Sequence, residues 1–436
     1  MSAIAIGSLT LVAMLALIWL GMHVGVALTL LSFVGVWAIK ENVTIASKLL
    51  ALAAYDSIAN HIFAVVPLFV LMGLLVSVSD IGKDTFTVAD RLFRRVQGGL
   101  GIATVAANAV FAAITGISIA SAAVFTKVAV PEMLRLGYTP RFSVGVVAGS
   151  SVLGMLIPPS LLLILYGFLA EQSVGALFIA GIVPGLLLAL AFAVAIVFMA
   201  RRFPAFVGGP EAGQPDTEAI GFGQAMVKLA PIGLLIGLVL GGIYGGFFTP
   251  TEAGAVGALG ALILALGKRK LGWRDLWQVL VETGHVTVSI CFLIIAASIY
   301  TRMLALAGIP QALVGAIQAA DMGFVVLMVV YVLLILVMGT VLDSTSIMLV
   351  TLPLLLPVIG TFDVNLIWFG IVTVIAVEIG LLTPPLGIAV YVIKSTLDDD
   401  RIGLNDIFAG AAPFALIMLA VLVIVIAFPS ISLVLL

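Results

Sequence analysis

Apolar positions in this chain fall in long unbroken runs, separated by short clusters of glycine, proline and charge, with none of the alternation that marks a half-buried strand. About 20 apolar residues span the hydrocarbon of a bilayer. The runs therefore predict transmembrane helices at about 4–20, 23–39 and 57–79, then an amphipathic basic segment from Lys83 to Gln97. Two shorter runs follow, about 99–116 and 118–133, joined at Thr115, Gly116, Ser118 and Ser121. They are too closely joined, and too rich in small polar residues at the junction, to be two spans; the pattern predicts a re-entrant helical hairpin over about 99–133. Runs at 142–170 and 175–200 complete the first half. The same order then recurs: spans at 227–245, 250–267 and 284–304, an amphipathic segment 306–320, a hairpin at about 323–358, a run at 366–394 and a last span at 408–430.

The run at 142–170 contains Pro158-Pro159 in its middle, and the run at 366–394 contains Pro384-Pro385. Proline lacks a backbone donor and clashes with the preceding turn, so each pair breaks its helix at membrane depth. The two breaks are copies. Gly154, Pro158 and Pro159 are each displaced by 226 residues from Gly380, Pro384 and Pro385, and the same offset relates Gly82 to Gly308, Ser118 to Ser344 and Pro131 to Pro357. Corresponding Gly/Pro-interrupted apolar segments in two halves point to the binding site of a secondary transporter. The expected organisation is a first repeat over 1–200, a cytoplasmic linker over 201–224 and a second repeat over 225–436.

Five spans and one hairpin per half is an odd number of crossings, so the fold class expected is an all-α polytopic membrane protein of two inverted-topology repeats. Charge placement supports this. With the N-terminus outside, fifteen Lys and Arg fall inside and only Lys40 and Lys48 fall outside, in agreement with the positive-inside rule. Both termini are then periplasmic, the first hairpin enters from the cytoplasm and the second from the opposite face.

Composition adds the class and removes others. At 63% hydrophobic, 9% charged and a mean hydropathy of +1.34, no soluble domain is expected; the lipid bilayer is the first partner, and none is expected in nucleic acid. The first apolar segment has no basic residue before it and is read as a retained helix. The single Cys291 excludes an intrachain disulfide, and three scattered histidines argue against a metal cluster. No phosphate-binding Gly-Lys-Ser/Thr loop occurs, since Gly267-Lys268 is followed by Arg269. An enzyme is not expected.

Four half-helix ends meeting near the midplane offer free N–H groups to a carboxylate and free carbonyls to a small cation. The chemistry there is hard oxygen, suited to Na⁺. Candidate cation ligands are Thr115, Ser118, Ser150, Ser151, Gly154, Ile157, Gly339, Thr340, Asp343, Glu378, Gly380 and Thr383. Candidate contacts to a small organic anion are Thr115, Gly116, Ser118, Ser121, Ser344, Thr345, Ser346 and Arg302. Single hydroxyls also serve plain helix packing. Glu378 either binds an ion or satisfies backbone donors freed by the break; Arg302 either snorkels or meets an anion. Lys127 is expected to snorkel to the cytoplasmic surface, and Thr249-Pro250-Thr251-Glu252 to be a structural capping box.

Gly154 to Gly167, Leu177-Phe178-Ile179-Ala180-Gly181-Ile182-Val183-Pro184-Gly185, Tyr244 to Ala253 and Gly380 to Gly387 together resemble the large membrane subunit of TRAP transporters, the tripartite ATP-independent periplasmic family. The resemblance implies Na⁺-coupled uptake of organic acids across a bacterial inner membrane by an elevator-type movement. It also implies two partners, a periplasmic substrate-binding protein and a small four-helix membrane subunit. The family's first hairpin usually reads Ser-Gly-Ser-Ser-x-Ala, where this chain has Thr115, Gly116, Ile117, Ser118, Ile119 and Ala120. Thr115 keeps a hydroxyl and Ile117 loses one. The competing expectations are a stand-alone sodium/dicarboxylate symporter of similar architecture, and a channel.

Overall fold

The computed structural model describes residues 1–59, 61–209, 221–385, 387–397, 399 and 401–436. Those residues are almost wholly helical; the one bridge of β type joins Tyr138 to Gly208. The middle of the expected linker, 210–220, and Leu386 beside the second proline pair lie outside the described residues.

The first half runs α1 (Ala3–Trp19), α2 (Val24–Lys40), α3 (Val43–Ala59), α4 (Val65–Val78) and α5 (Ile81–Phe93). The hairpin follows as α6 (Gly99–Thr115) and α7 (Ser118–Arg135). The broken helix is α8 (Pro140–Ser151), α9 (Leu153–Leu156) and α10 (Leu161–Leu169), followed by α11 (Val174–Arg202) and the short α12 (Pro204–Val207). The second half opens with four helices where the first has five: α13 (Phe222–Tyr244), α14 (Pro250–Gly267), α15 (Trp273–Ala307) and α16 (Ile309–Ala319). Its hairpin is α17 (Phe324–Gly339) and α18 (Ser344–Ile359), its broken helix α19 (Leu366–Gly380) and α20 (Ile388–Thr396), and it ends in α21 (Leu404–Ala427) and α22 (Ser430–Leu433).

Both breaks fall where the proline pairs put them. The first bends its helix by 43°, and each pair is joined by a cis peptide. The capping box at Thr249 forms as the sequence says: Thr249 N–H donates to Glu252 at 2.8 Å and Glu252 N–H to the Thr249 hydroxyl at 3.3 Å.

Two elements differ from the reading of apolar runs. Helix α3 was not expected, and the span placed at 57–79 is the shorter α4, entered through a 3₁₀ turn over His61–Ala64. In the second half the span placed at 284–304 is only the last part of the 35-residue α15. The reason is the same in both. Lys48 and Asp56 in α3, and Arg274, Asp275, Glu282 and His285 in α15, hide helical segments from a reading of apolar length. Asn42 starts α3 by accepting the N–H groups of Thr44 at 2.9 Å and Ile45 at 3.2 Å.

By length and composition six described helices can cross a membrane, or up to eight if each bent pair is one span. The ten spans expected include shorter pieces: α1 and α2 have 17 residues each, about 25 Å of helix.

Two sets of helix contacts stand out, bridged by α4 on α6 and by α15 on α18. In one, α4 packs on α14, and α15 lies against α2, α3 and α4. In the other, α8 packs on α21, α17 on α19, and α11 on α6 and α21. The two hairpins differ: α6 and α7 pack on each other, whereas α18 turns away from α17 to lie on α15 and α16. Between α19 and α21 the packing is buried, with Trp368 donating its indole N–H to the Val425 carbonyl at 2.8 Å.

Candidate functional site

Each hairpin tip is made by a residue that stops one helix and a polar residue that starts the next. At the first tip Gly116, with φ +63°, ends α6, and α7 begins at Ser118. At the second tip Asp343 caps α18, accepting the N–H groups of Thr345 at 3.1 Å and Ser346 at 3.2 Å, and the Ser346 hydroxyl as well. Asp343 thus holds the start of its own helix.

The tips rest on the breaks. Leu161 N–H, the first of α10, donates to the Gly116 carbonyl at 3.1 Å, and Ser160 caps α10 through Leu163 N–H at 3.2 Å. A Cβ on Gly154 would stand 3.1 Å from the Ile117 carbonyl, so α9 lies directly under this tip. At the second tip the approach is backbone on backbone: a Cβ on Gly339 would lie 2.5 Å from Gly380 Cα.

Glu378 sits between the two tips. It is 1% exposed; Oε1 accepts the Ser344 hydroxyl at 3.2 Å, and Ser118 approaches the same carboxylate from the other hairpin. Glu378 Oε2, Ser118 Oγ and Ser121 Oγ are buried and make no hydrogen bond of regular geometry, the Ser118 hydroxyl only approaching the carboxylate. Unpaired polar atoms in a dry interior cost about 1–3 kcal/mol each. A carboxylate oxygen and hydroxyl oxygens left open together are donors for a hard cation.

The remaining hydroxyls point the same way. Ser150, Ser151, Thr115, Thr340 and Thr383 donate to carbonyls of their own helices, at 2.7, 2.8, 3.0, 2.8 and 2.8 Å, so each spends its hydrogen locally and keeps acceptor capacity. Ser150 also accepts Asn108 Nδ2 at 2.6 Å. Asn108 was not singled out from the sequence. It is fully buried in α6 and its Oδ1 has no partner, and the signal available was an amide alone in an apolar run.

Arg302 is placed differently from the other candidates. It pairs with Asp56 at 2.6 Å and lines a separate recess of about 400 Å³ with Ser57, Ser298 and Glu171. Its charge is answered within the α3/α15 packing, where Ser57 and Ser298 also hydrogen-bond at 2.9 Å. Among the described residues no group of His, Cys, Asp and Glu forms a metal cluster.

Residues 11–431 match the family model of the tripartite ATP-independent periplasmic transporter, DctM component. The chain belongs to this family. Relatives share the length as well as the sequence. The C4-dicarboxylate TRAP transporter large permease of Rhodobacter capsulatus is 32% identical over 99% of this chain and 98% of its own. The sialic acid TRAP large permease of Vibrio cholerae is 30% identical over 97% and 96%. The isethionate TRAP permease of Oleidesulfovibrio alaskensis is 28% identical, and the chain covers 58% of that longer protein. Among solved structures, the Alcanivorax borkumensis YdaH transporter superposes with a TM-score of 0.60 over 84% of this chain and 86% of its own at 13% identity, which is likeness of fold. As a TRAP large permease the protein is a transporter subunit of the inner membrane and not an enzyme.

Proposed function

We propose that this permease imports a small organic anion of carboxylate type together with Na⁺, and that both bind between the two hairpin tips and the two helix breaks. The observation that carries the reading is the set of oxygens around Glu378: its own Oε2 and the Ser118 and Ser121 hydroxyls of the first hairpin are left open, and Ser344 of the second hairpin donates to Oε1. Na⁺ is cargo here. Its oxygens would come from Glu378, Ser118 and the carbonyls preceding each proline pair, between Ser150 and Ile157 and between Glu378 and Thr383. The anion meets Ser344 and Thr345 at the N-terminus of α18 and the open Ser121 hydroxyl in α7, where the start of the helix favours negative charge.

The reading of the substrate as an organic acid is supported by relatives named for C4-dicarboxylates, sialic acid and isethionate. A periplasmic binding protein delivers it, and a small four-helix membrane subunit completes the assembly; one relative named DctMQ is a longer chain, as a fusion of the two membrane subunits would be. Moving an anion inward against an inside-negative potential costs about 2.3 kcal/mol per charge per 100 mV, so more sodium charges than substrate charges must enter. The two helix groups move past each other as an elevator, with the hairpins travelling in one of them. With the N-terminus outside, both termini are periplasmic.

Reconstitution of the permease with both partners tests this. Uptake of labelled organic acid should saturate with external Na⁺ and vanish without a sodium gradient. Full uptake without the binding protein supports the stand-alone symporter; conduction without saturation supports a channel.

A further inference from the structure

The two basic residues that fall inside membrane segments have different surroundings. Arg302 has its counter-charge in Asp56. Lys127, in the middle of the first hairpin's second helix, has no ion pair or hydrogen bond among the described residues and is exposed.

Its position is part of a pattern. Along α7 the exposed or half-exposed residues Ile119, Ala123, Lys127 and Pro131 recur every fourth position, a single stripe descending from the tip. The opposite face, Ser118, Ser121, Phe125 and Ala129, is buried. Helix α20 packs beside α7 and starts at the one break that is open: Pro384 and Pro385 are exposed, whereas Pro158 and Pro159 are buried. Tyr391 on α20 is 42% exposed. The matching helix of the second hairpin, α18, has no such stripe, and the position related to Lys127 by the 226-residue offset is the buried Pro353. Lys127 stands nine positions past Ser118, about 14 Å along the helix from the tip.

We propose that Lys127 is an anion contact on the path between the hairpin tips and the outer end of α7, holding the organic acid after it leaves the tips. This rests on the reading above that an organic anion binds there. A lysine that merely faced lipid would snorkel to the interface and attract nothing along the stripe.

Ala123, one turn nearer the tip, is the reporter. In the complete complex with Cys291→Ser, Ala123→Cys is treated with anionic and with cationic membrane-impermeant thiosulfonate reagents. The anionic reagent should react faster, and Lys127→Gln should change the two rates in opposite directions by about threefold each, while Lys127→Arg leaves them unchanged. Ile119→Cys gives the same readout if Ala123→Cys fails to fold. No reaction at either position, or a rate ratio indifferent to Lys127→Gln, overturns the proposal. The labelling needs no transport, so it is independent of the sodium-gradient experiment that tests the function itself.

Discussion

Replacing Gly339 by alanine places a methyl group between the second hairpin tip and the second break. The added Cβ would stand 2.5 Å from Gly380 Cα and 2.9 Å from its carbonyl carbon, against 3.4–4 Å for ordinary contact. The gap must open by about 1 Å, and both partners are backbone, so no side chain can swing aside. Overpacking of this kind costs about 1–3 kcal/mol. If that cost falls on the cation-bound arrangement of tip and break, sodium affinity drops by about fivefold to a hundredfold. The assay is uptake by the reconstituted complex as a function of Na⁺ concentration, with thermal unfolding of the detergent-solubilised protein alongside. Gly284→Ala is the control, because an alanine there meets nothing within 4 Å. A folded Gly339→Ala permease with native half-saturation by sodium would refute the placing of a cation at this contact.

Other changes separate charge, hydroxyl and fold. Glu378→Gln keeps the shape and can still accept from Ser344 but removes the charge; the Na⁺ concentration for half-maximal uptake should rise by tenfold or more in sodium titrations, and an unchanged value removes Glu378 from the ion site. Ser150→Ala and Thr383→Ala each delete one oxygen and should raise the same concentration about two- to tenfold; unchanged sodium dependence in both sinks their assignment. Thr249→Ala removes the capping box of α14 and should cost about 1 kcal/mol of stability in thermal unfolding while leaving sodium dependence alone. In the exposed turn after α20, hydrogen bonds from Arg401 push the Asp399 carboxyl down to about 2. A lowered folded value means the contact is present above the ordinary carboxylate range and lost as pH falls through about 2. Asp399→Asn should therefore leave the uptake profile between about pH 5 and 8 unchanged.

The sequence carried the placement of helices well where apolar length and proline do the work. The breaks, both hairpins and the capping box could be read because proline geometry and capping chemistry are local. Helix α3 and the first third of α15 could not, since their charges mask helical segments that are set by packing on a neighbour and not by hydropathy. At the site, the hydroxyls at the tips were legible from their junction position and Glu378 from its cost in a membrane. Two facts needed three dimensions. Asp56 answers Arg302 from 246 residues away, and Asn108 reaches Ser150 across two helices.

The two tip contacts sit at positions that the 226-residue offset does not pair, and they are built from different materials. At Gly116 a hydrogen bond from Leu161 fixes the tip in direction as well as distance. At Gly339 two bare backbones touch, and such a contact is indifferent to sliding along the helix so long as nothing larger than hydrogen intervenes. One tip is thus pinned like a rivet and the other rests like a bearing. The two ends of the site are not mechanically alike, and a sideways load on it is relieved first at the Gly339–Gly380 contact.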